Sequence, residues 1–483
     1  MANRRPAASD EAERPGARHD ASREVRKKAT NPLSVLRRTF RLRRLRPGQR
    51  EVIDSVLAGR DTLAIMPSGA GKSLCYQLPA LQMPGTTIVV SPLIALMKDQ
   101  SDKLEERGLD AAAVNSALSE PERREAMRRI RESTADFIFT TPEQLTNPAF
   151  VKKLKANPID LFVVDEAHCI TQWGHDFRPA YAGLGAALRA LGDPTLLALT
   201  ATATPDVIKD IARQLGRPRM RVLNGGVYRP NLYFEVVQTT NAVEKNKALL
   251  EVVRSGGAGI VYCATVRAAK AVHAWLLGQG VKAELYHGRL GGRERTERQE
   301  AFMSGAARTM VATNAFGMGI DRPDIRYVVH YQLPGSLEAY YQEAGRAGRD
   351  GKEARCTLLY DHDDRRVQLY FARKRSKVET LAAYARRTQC RWKMILEYFN
   401  EDVAMDTECG ACDNCVQRSA DASAITLKMK VKAKPLFRKG DAVRVPEHGR
   451  GTVAEVHDDR IAVSFGSGET REFAPRYVAK ARA

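Results

Sequence analysis

Short apolar runs recur along the first two thirds of the chain, separated by longer stretches of mixed polarity. Thr62-Leu63-Ala64-Ile65, Thr87-Ile88-Val89-Val90, Phe137-Ile138-Phe139-Thr140, Leu161-Phe162-Val163-Val164 and Leu196-Leu197-Ala198-Leu199 form a first series. The pattern restarts after Tyr228-Arg229-Pro230-Asn231 with Gly259–Tyr262, Ala283–Tyr286, Thr309–Ala312 and Tyr327–Val329. Short continuous runs of this kind predict strands buried on both faces, with helices between them, and so parallel, doubly wound sheets. The restart places two α/β lobes in tandem, with a boundary near 222–230. Residues 363–400 read as helices, including Arg366 to Phe371 and Trp392 to Tyr398. Gly440–Val445, Gly451–Val456, Ile461–Phe465 and Thr470–Phe473 alternate in polarity between Gly and Asp turns, which predicts a small β-barrel. Ile425 to Lys434 alternates apolar residues with Lys428, Lys430, Lys432 and Lys434. Period two puts those lysines on one face of a strand, either a basic strip or a solvated edge or linker. Residues 1–32 have no periodicity and read as disordered.

The expected divisions are therefore an extension over 1–32, a first lobe over 33–222 and a second over 223–362. A helical subdomain over 363–418, a basic linker or strand over 419–434 and a barrel over 435–483 follow.

Chemistry enters at the end of the first apolar run. Met66-Pro67-Ser68-Gly69-Ala70-Gly71-Lys72-Ser73 stands between that run and the helix-like Leu74-Cys75-Tyr76-Gln77-Leu78. Strand, glycine turn, Lys-Ser and helix make a phosphate cradle. Gly69 and Gly71 let the backbone curl so that its N–H groups, with those of Ser68 and Ala70, face phosphate oxygens. Lys72 would reach the terminal phosphates of ATP and Ser73 would ligand Mg²⁺. Met66 occupies the place of the pattern's first glycine. Asp165-Glu166-Ala167-His168 directly follows the Leu161–Val164 strand. Asp165 is placed to orient Mg²⁺, and Glu166 to polarise the attacking water as general base.

The net charge is +20, from 77 Lys and Arg against 57 Asp and Glu, which favours a polyanionic partner. No apolar run follows the charged start, so no signal peptide is expected, and no stretch is long enough to span a bilayer. A cytoplasmic protein, nucleoid-associated in a bacterium, is the expectation. Cys75, Cys169, Cys263 and Cys356 are scattered, while Cys390, Cys409, Cys412 and Cys415 cluster. Four thiolates at this spacing suit tetrahedral Zn²⁺ in a closed structural site, with an iron–sulfur cluster as the competing reading.

Several segments resemble superfamily 2 helicases and, more narrowly, the RecQ family over roughly 36–417. They are Leu45-Arg46-Pro47-Gly48-Gln49, Ser91-Pro92-Leu93-Ile94-Ala95-Leu96-Met97-Lys98-Asp99-Gln100, the Asp165–Ile170 stretch and Gln172-Trp173-Gly174-His175-Asp176-Phe177-Arg178-Pro179. Thr200-Ala201-Thr202, Thr313 to Asp321 and Gln342 to Gly351 complete the set. The resemblance implies that Arg46 and Gln49 meet the adenine end of ATP, although the family's aromatic-Gly-Tyr ahead of them is replaced by Arg41 to Leu45. It implies that Arg346 and Arg349, three apart and on one face if helical, act as arginine fingers. Asp321 would link the nucleotide cleft to the DNA track. Trp173, His175, Phe177 and Arg178 form an aromatic and basic loop suited to stacking bases and meeting phosphates. The family's zinc pattern matches all four clustered cysteines.

The implied activity is ATP-dependent, 3′ to 5′ unwinding of DNA in recombination and repair, on single-stranded and forked DNA, by a monomer. The family's winged-helix and further helical domains find no counterpart. The terminal barrel resembles the Tudor-like tail of some superfamily 1 repair helicases and offers a site for a protein partner. An RNA helicase and a non-catalytic nucleic-acid scaffold are the alternatives.

Overall fold

A computed structural model describes residues 31–171, 178–317, 320, 322–371, 375–401, 408–420, 437–446, 448–457, 460–474 and 478–481. The chain divides into one compact unit up to Cys415 and a second from Val416.

Seven parallel strands form the first sheet: β1 (Thr62–Ile65), β2 (Thr86–Val90), β3 (Ala111–Val114), β4 (Phe137–Thr140), β5 (Ile159–Val164), β6 (Thr195–Thr200) and β7 (Arg221–Asn224). Their order is β3-β4-β2-β5-β6-β1-β7. β1, β2 and β4 are buried at every position, as their continuous apolar composition requires. Because all seven strands run the same way, the phosphate loop after β1 and Asp165 after β5 emerge at one edge. Register fixes this closely: Met66 N–H donates to the Thr200 carbonyl at 2.9 Å and Asp165 N–H to the Val90 carbonyl at 2.8 Å. Ligands of doubly wound sheets bind at that carboxyl edge.

Six parallel strands form the second sheet: β8 (Leu232–Gln238), β9 (Ala258–Tyr262), β10 (Ala283–Tyr286), β11 (Thr309–Ala312), β12 (Ile325–His330) and β13 (Ala354–Tyr360), ordered β10-β11-β9-β12-β13-β8. The expected strands all occur, some extended by a residue or two. β3, β7, β8 and β13 are additional. β3 reads Ala-Ala-Ala-Val, with a single β-branched residue where strands usually carry several, and β8 and β13 interrupt their apolar runs with charge.

The helices Arg375–Arg386 and Arg391–Tyr398 share their core with one face of the second sheet. Trp392, wholly buried, is central to it. Its ring lies 4.9 Å edge-on to both Tyr228 and Phe234, and its indole N–H donates to the Leu232 carbonyl at 3.2 Å.

The second unit holds β14 (Ala442–Val445), β15 (Gly449–Val456), β16 (Ile461–Phe465), β17 (Thr470–Phe473) and β18 (Ala479–Lys480) in the antiparallel order β17-β16-β15-β14-β18. Among the described residues β17 and β18 do not pair, so the sheet is open where a closed barrel was expected. The Ile425–Lys434 segment lies outside the described residues.

Trp392→Ala should destabilise the larger unit by about 3–5 kcal/mol, the cost of truncating a buried aromatic. The shift in its denaturant midpoint, at unchanged slope, measures this.

Candidate nucleotide and metal sites

The phosphate loop leaves β1 with Gly69 at φ 85° and Gly71 at φ 80°, backbone conformations that a side chain would strain. Gly71 also faces a close neighbour, since a β-carbon there would stand 2.6 Å from Gln49 Nε2. Gln49, buried at the start of the helix Gln49–Leu57, donates from Nε2 to the carbonyls of Ala70 and Gly71 at 3.0 and 2.9 Å. Its Oε1 accepts from Arg46 N–H at 2.7 Å, and the Arg46 guanidinium donates to the Gly69 carbonyl. Arg46 and Gln49 thus brace the loop at Gly69, Ala70 and Gly71. Lys72 Nζ rests on the Met66 carbonyl at 3.4 Å. Ser73 is the N-cap of the helix Leu74–Ala80.

Asp165 and Glu166 face this loop from β5. Burial, then the charge of Glu166, pushes the Asp165 carboxyl up to about 7, while Lys72 pulls it down. A buried carboxylate that Lys72 only partly offsets fits a divalent-metal ligand. Glu166 adopts φ 48°, a left-handed backbone that costs a non-glycine residue roughly 1–3 kcal/mol and belongs to functional turns. It lies 3.3 Å from His168 Nδ1, which is 3.1 Å from Thr200 Oγ1. Thr200 Oγ1 donates to the Thr202 carbonyl at 3.0 Å. The acidic turn is thereby wired to Thr200-Ala201-Thr202 after β6.

Arg346 and Arg349 come from the second sheet. The helix Leu337–Ala344 stops before them, so they sit on consecutive turns and not on one helical face. Gly348 at φ 57° reverses the backbone between them. Arg346 is 5% exposed and its Nε meets no acceptor among the described residues, a buried cation suited to an anion. Arg349 packs on the phosphate loop: a β-carbon at Gly69 would stand 3.4 Å from its Cα, Cβ and Cγ. A β-carbon at Gly345 would similarly stand 3.7 Å from that of Ser68. Lys72, Ser73, Asp165 and Glu166 of one lobe therefore share a cleft with arginines of the other.

The stacking loop is reached only at its end. Trp173, His175 and Phe177 lie outside the described residues, as does Asp321. Arg178 is tied inward: its backbone N–H donates to the Cys169 carbonyl at 3.0 Å and its guanidinium to the Pro92 carbonyl at 3.1 Å. It joins the acidic turn to the Ser91-Pro92-Leu93 segment, a positional role alongside the expected phosphate contact.

Sequence reasoning missed two residues. It took Arg229 and Asn231 as punctuation between lobes, yet both bond to the backbone of the arginine turn. The signal was an arginine joined to Pro-Asn at a chain reversal.

The sulfurs of Cys390, Cys409, Cys412 and Cys415 lie within 4.8 Å of one another. Hydrogen bonds from Cys409 and Cys412 hold the Cys390 thiol far below its usual range, and the same crowding pushes Cys409 up. Arg391 N–H donates to Cys412 Sγ at 3.5 Å and Ala411 N–H to Cys409 Sγ at 3.4 Å, the backbone support a metal thiolate needs. Four sulfurs, with no other donor grouped with them among the described residues, fit Zn²⁺ without an open position. The same loop covers the outer edge of β8. Phe234 bridges to Cys412, and Asp413 Oδ2 accepts from Val236 N–H at 2.9 Å while Asp413 also pairs with Arg391.

Two parallel sheets that bring a phosphate loop, an acidic pair and arginines together define an ATPase of the superfamily 2 helicase class. Comparison with known families agrees: DEAD/DEAH box helicase matches residues 46–211, helicase conserved C-terminal domain 244–351 and RecQ zinc-binding 360–416. The ATP-dependent DNA helicase RecQ of Bacillus subtilis is 43% identical over 401 residues, 80% of this chain and 67% of that protein. Its namesake from Haemophilus influenzae is 33% identical over 458 residues, 91% of this chain and 73% of that protein. The chain belongs to the RecQ family. In fold it is similar to a Saccharomyces cerevisiae Dbp5 variant bound to RNA and ADP BeF3, with a TM-score of 0.60 at 19% identity, covering 82% of this chain and 98% of that one.

Purified protein should carry one zinc ion per chain, released by Cys412→Ser. That variant should expose residues 363–417 to protease while nucleotide affinity holds. Metal analysis and limited proteolysis check both.

Proposed function

We propose that this chain couples ATP hydrolysis to 3′ to 5′ movement along single-stranded DNA and to opening of the duplex ahead, with forked DNA as its working substrate. The observation that carries the reading is the approach of Arg349 to Gly69, which sets a second-lobe arginine against the first-lobe phosphate loop.

The loop's N–H groups and Lys72 bind the phosphates of ATP, while Ser73 and Asp165 would hold Mg²⁺, which supplies charge neutralisation there. Glu166 takes the proton of the attacking water. His168, 3.3 Å from that carboxylate and joined to Thr200, carries its state toward the first lobe's other loops. Arg346 and Arg349 meet the charge that develops on the departing phosphate. Because those arginines reach the cleft only when the lobes meet, hydrolysis and lobe closure are one event, and product release opens them. Arg46 and Gln49 brace the loop and face the adenine side. Trp173, with His175, Phe177 and Arg178, engages single-stranded DNA.

The chain works as a monomer in the cytoplasm. Its terminal sheet forms a Tudor-like module that meets a protein partner.

Lys72→Ala and Glu166→Gln should each abolish DNA-stimulated ATP hydrolysis, and Glu166→Gln should keep nucleotide affinity. Substantial turnover by either variant would refute the assignment. Trp173→Ala should lower DNA-stimulated ATPase and unwinding while its folding is unchanged, as expected for a base stack of about 1–3 kcal/mol. Unwinding of 3′-tailed but not 5′-tailed duplexes, and stimulation by DNA over RNA, test polarity and substrate.

A further inference from the structure

Arg229 is 7% exposed and has no carboxylate within bonding distance among the described residues. Burial lowers its affinity for the proton, the direction expected of a guanidinium held away from water. What holds it is backbone. One terminal nitrogen donates to the Gly345 carbonyl at 2.7 Å, and the other to the carbonyls of Ala347 and Gly348 at 2.7 and 2.6 Å. Gly345 is the C-cap of the helix Leu337–Ala344, so the cation also lies at the negative end of that helix. Asn231 Nδ2 donates to the Gly348 and Lys352 carbonyls at 2.9 and 2.8 Å. These bonds close on the turn that carries Arg346 and Arg349. Gly348 N–H is fixed from the other side by the Ile325 carbonyl at 2.9 Å.

We infer that Arg229, assisted by Asn231, is the positioning residue for the arginine pair. A run of Gly-Arg-Ala-Gly-Arg has little intrinsic order, since both glycines widen its backbone freedom. Without a clamp the two guanidinium groups would sample many placements, and a misplacement of about 1 Å costs about 100-fold in rate. The clamp is planar and makes three bonds in fixed directions. A lysine at the same place keeps the charge but cannot reproduce the fork.

Arg229 also stands in the crossing between lobes. Gly225 N–H donates to the Ile65 carbonyl at 2.8 Å, at the end of β1. Two residues on, Val227 N–H donates to Glu401 at 2.9 Å, and the Tyr341 hydroxyl donates to the Val227 carbonyl. The crossing is thus tied to the first lobe at Gly225 and to the second at Val227, so Arg229 sits on the second-lobe side with the arginine turn.

The inference rests on the arginine-pair reading above, and the test separates the two. Arg229→Lys, Asn231→Ala and Arg349→Ala are compared with the full chain. For each, single-stranded-DNA-stimulated ATPase gives kcat and KM, and the affinities for a non-hydrolysable ATP analogue and for Mg-ADP-aluminium fluoride are measured. Arg229→Lys should lower kcat by roughly 10- to 100-fold and weaken the aluminium fluoride complex correspondingly, with KM and ATP-analogue affinity unchanged. Asn231→Ala, which removes two bonds and no charge, should show a smaller loss of the same kind. It decides the question if Arg229→Lys does not fold. An unchanged kcat, or equal weakening of both nucleotide complexes, would overturn the clamp. Full turnover by Arg349→Ala would overturn the arginine-pair reading itself, whereas an inactive Arg349→Ala beside a normal Arg229→Lys would remove only the clamp.

Discussion

Parallel strand direction is the constraint on which this molecule depends. A parallel sheet buries both faces, so its polar chemistry can only collect at the edge where the strands end. The first sheet gathers there a curled glycine loop, a lysine and two carboxylates, one of them held above its ordinary range by burial. The second sheet gathers its own edge with an arginine turn. Neither edge is a complete site. The two edges meet where Arg349 packs on Gly69, a position whose φ of 85° calls for glycine.

Much of this was legible in the residues. Apolar runs marked most strands, because a strand buried on both faces has little compositional choice. The phosphate loop and the cysteine cluster were legible because their chemistry fixes residue type and spacing together. Less local features were harder to see. β3 carries three alanines, and β7 is exposed along much of its length, so neither announces a strand. Arg346 and Arg349 invited a helix through their spacing of three. Gly348 and the bonds from Arg229 hold them in turns instead, and those bonds cross 116 to 119 residues of sequence. The inward tie of Arg178 to Pro92 crosses 86 and is equally invisible in one dimension. At the carboxyl end, alternation and turns gave the strands but not whether the sheet closes, since closure depends on how its end strands meet.

The helical cysteine segment shares one continuous core with the second sheet. Trp392 packs against Tyr228 beside the lobe crossing and against Phe234 on β8. Glu401, just after the helix Arg391–Tyr398, holds Val227. The metal-binding region thus reaches the same crossing that carries Arg229, and its influence on the cleft is mechanical, through the wall on which the arginine turn is mounted.

The place of that region over β8 also bears on how the protein behaves in a crowded solution. β8 ends its sheet, and a terminal strand offers open donors and acceptors to any extended chain that meets it. Here Cys412, Asp413 and Trp392 occupy that margin. An ion held by the four sulfurs would keep that loop in shape, and so guard a seam as well as a fold. A chain unable to hold that loop would present β8 to its neighbours, and copies of the protein could join through backbone pairing along it.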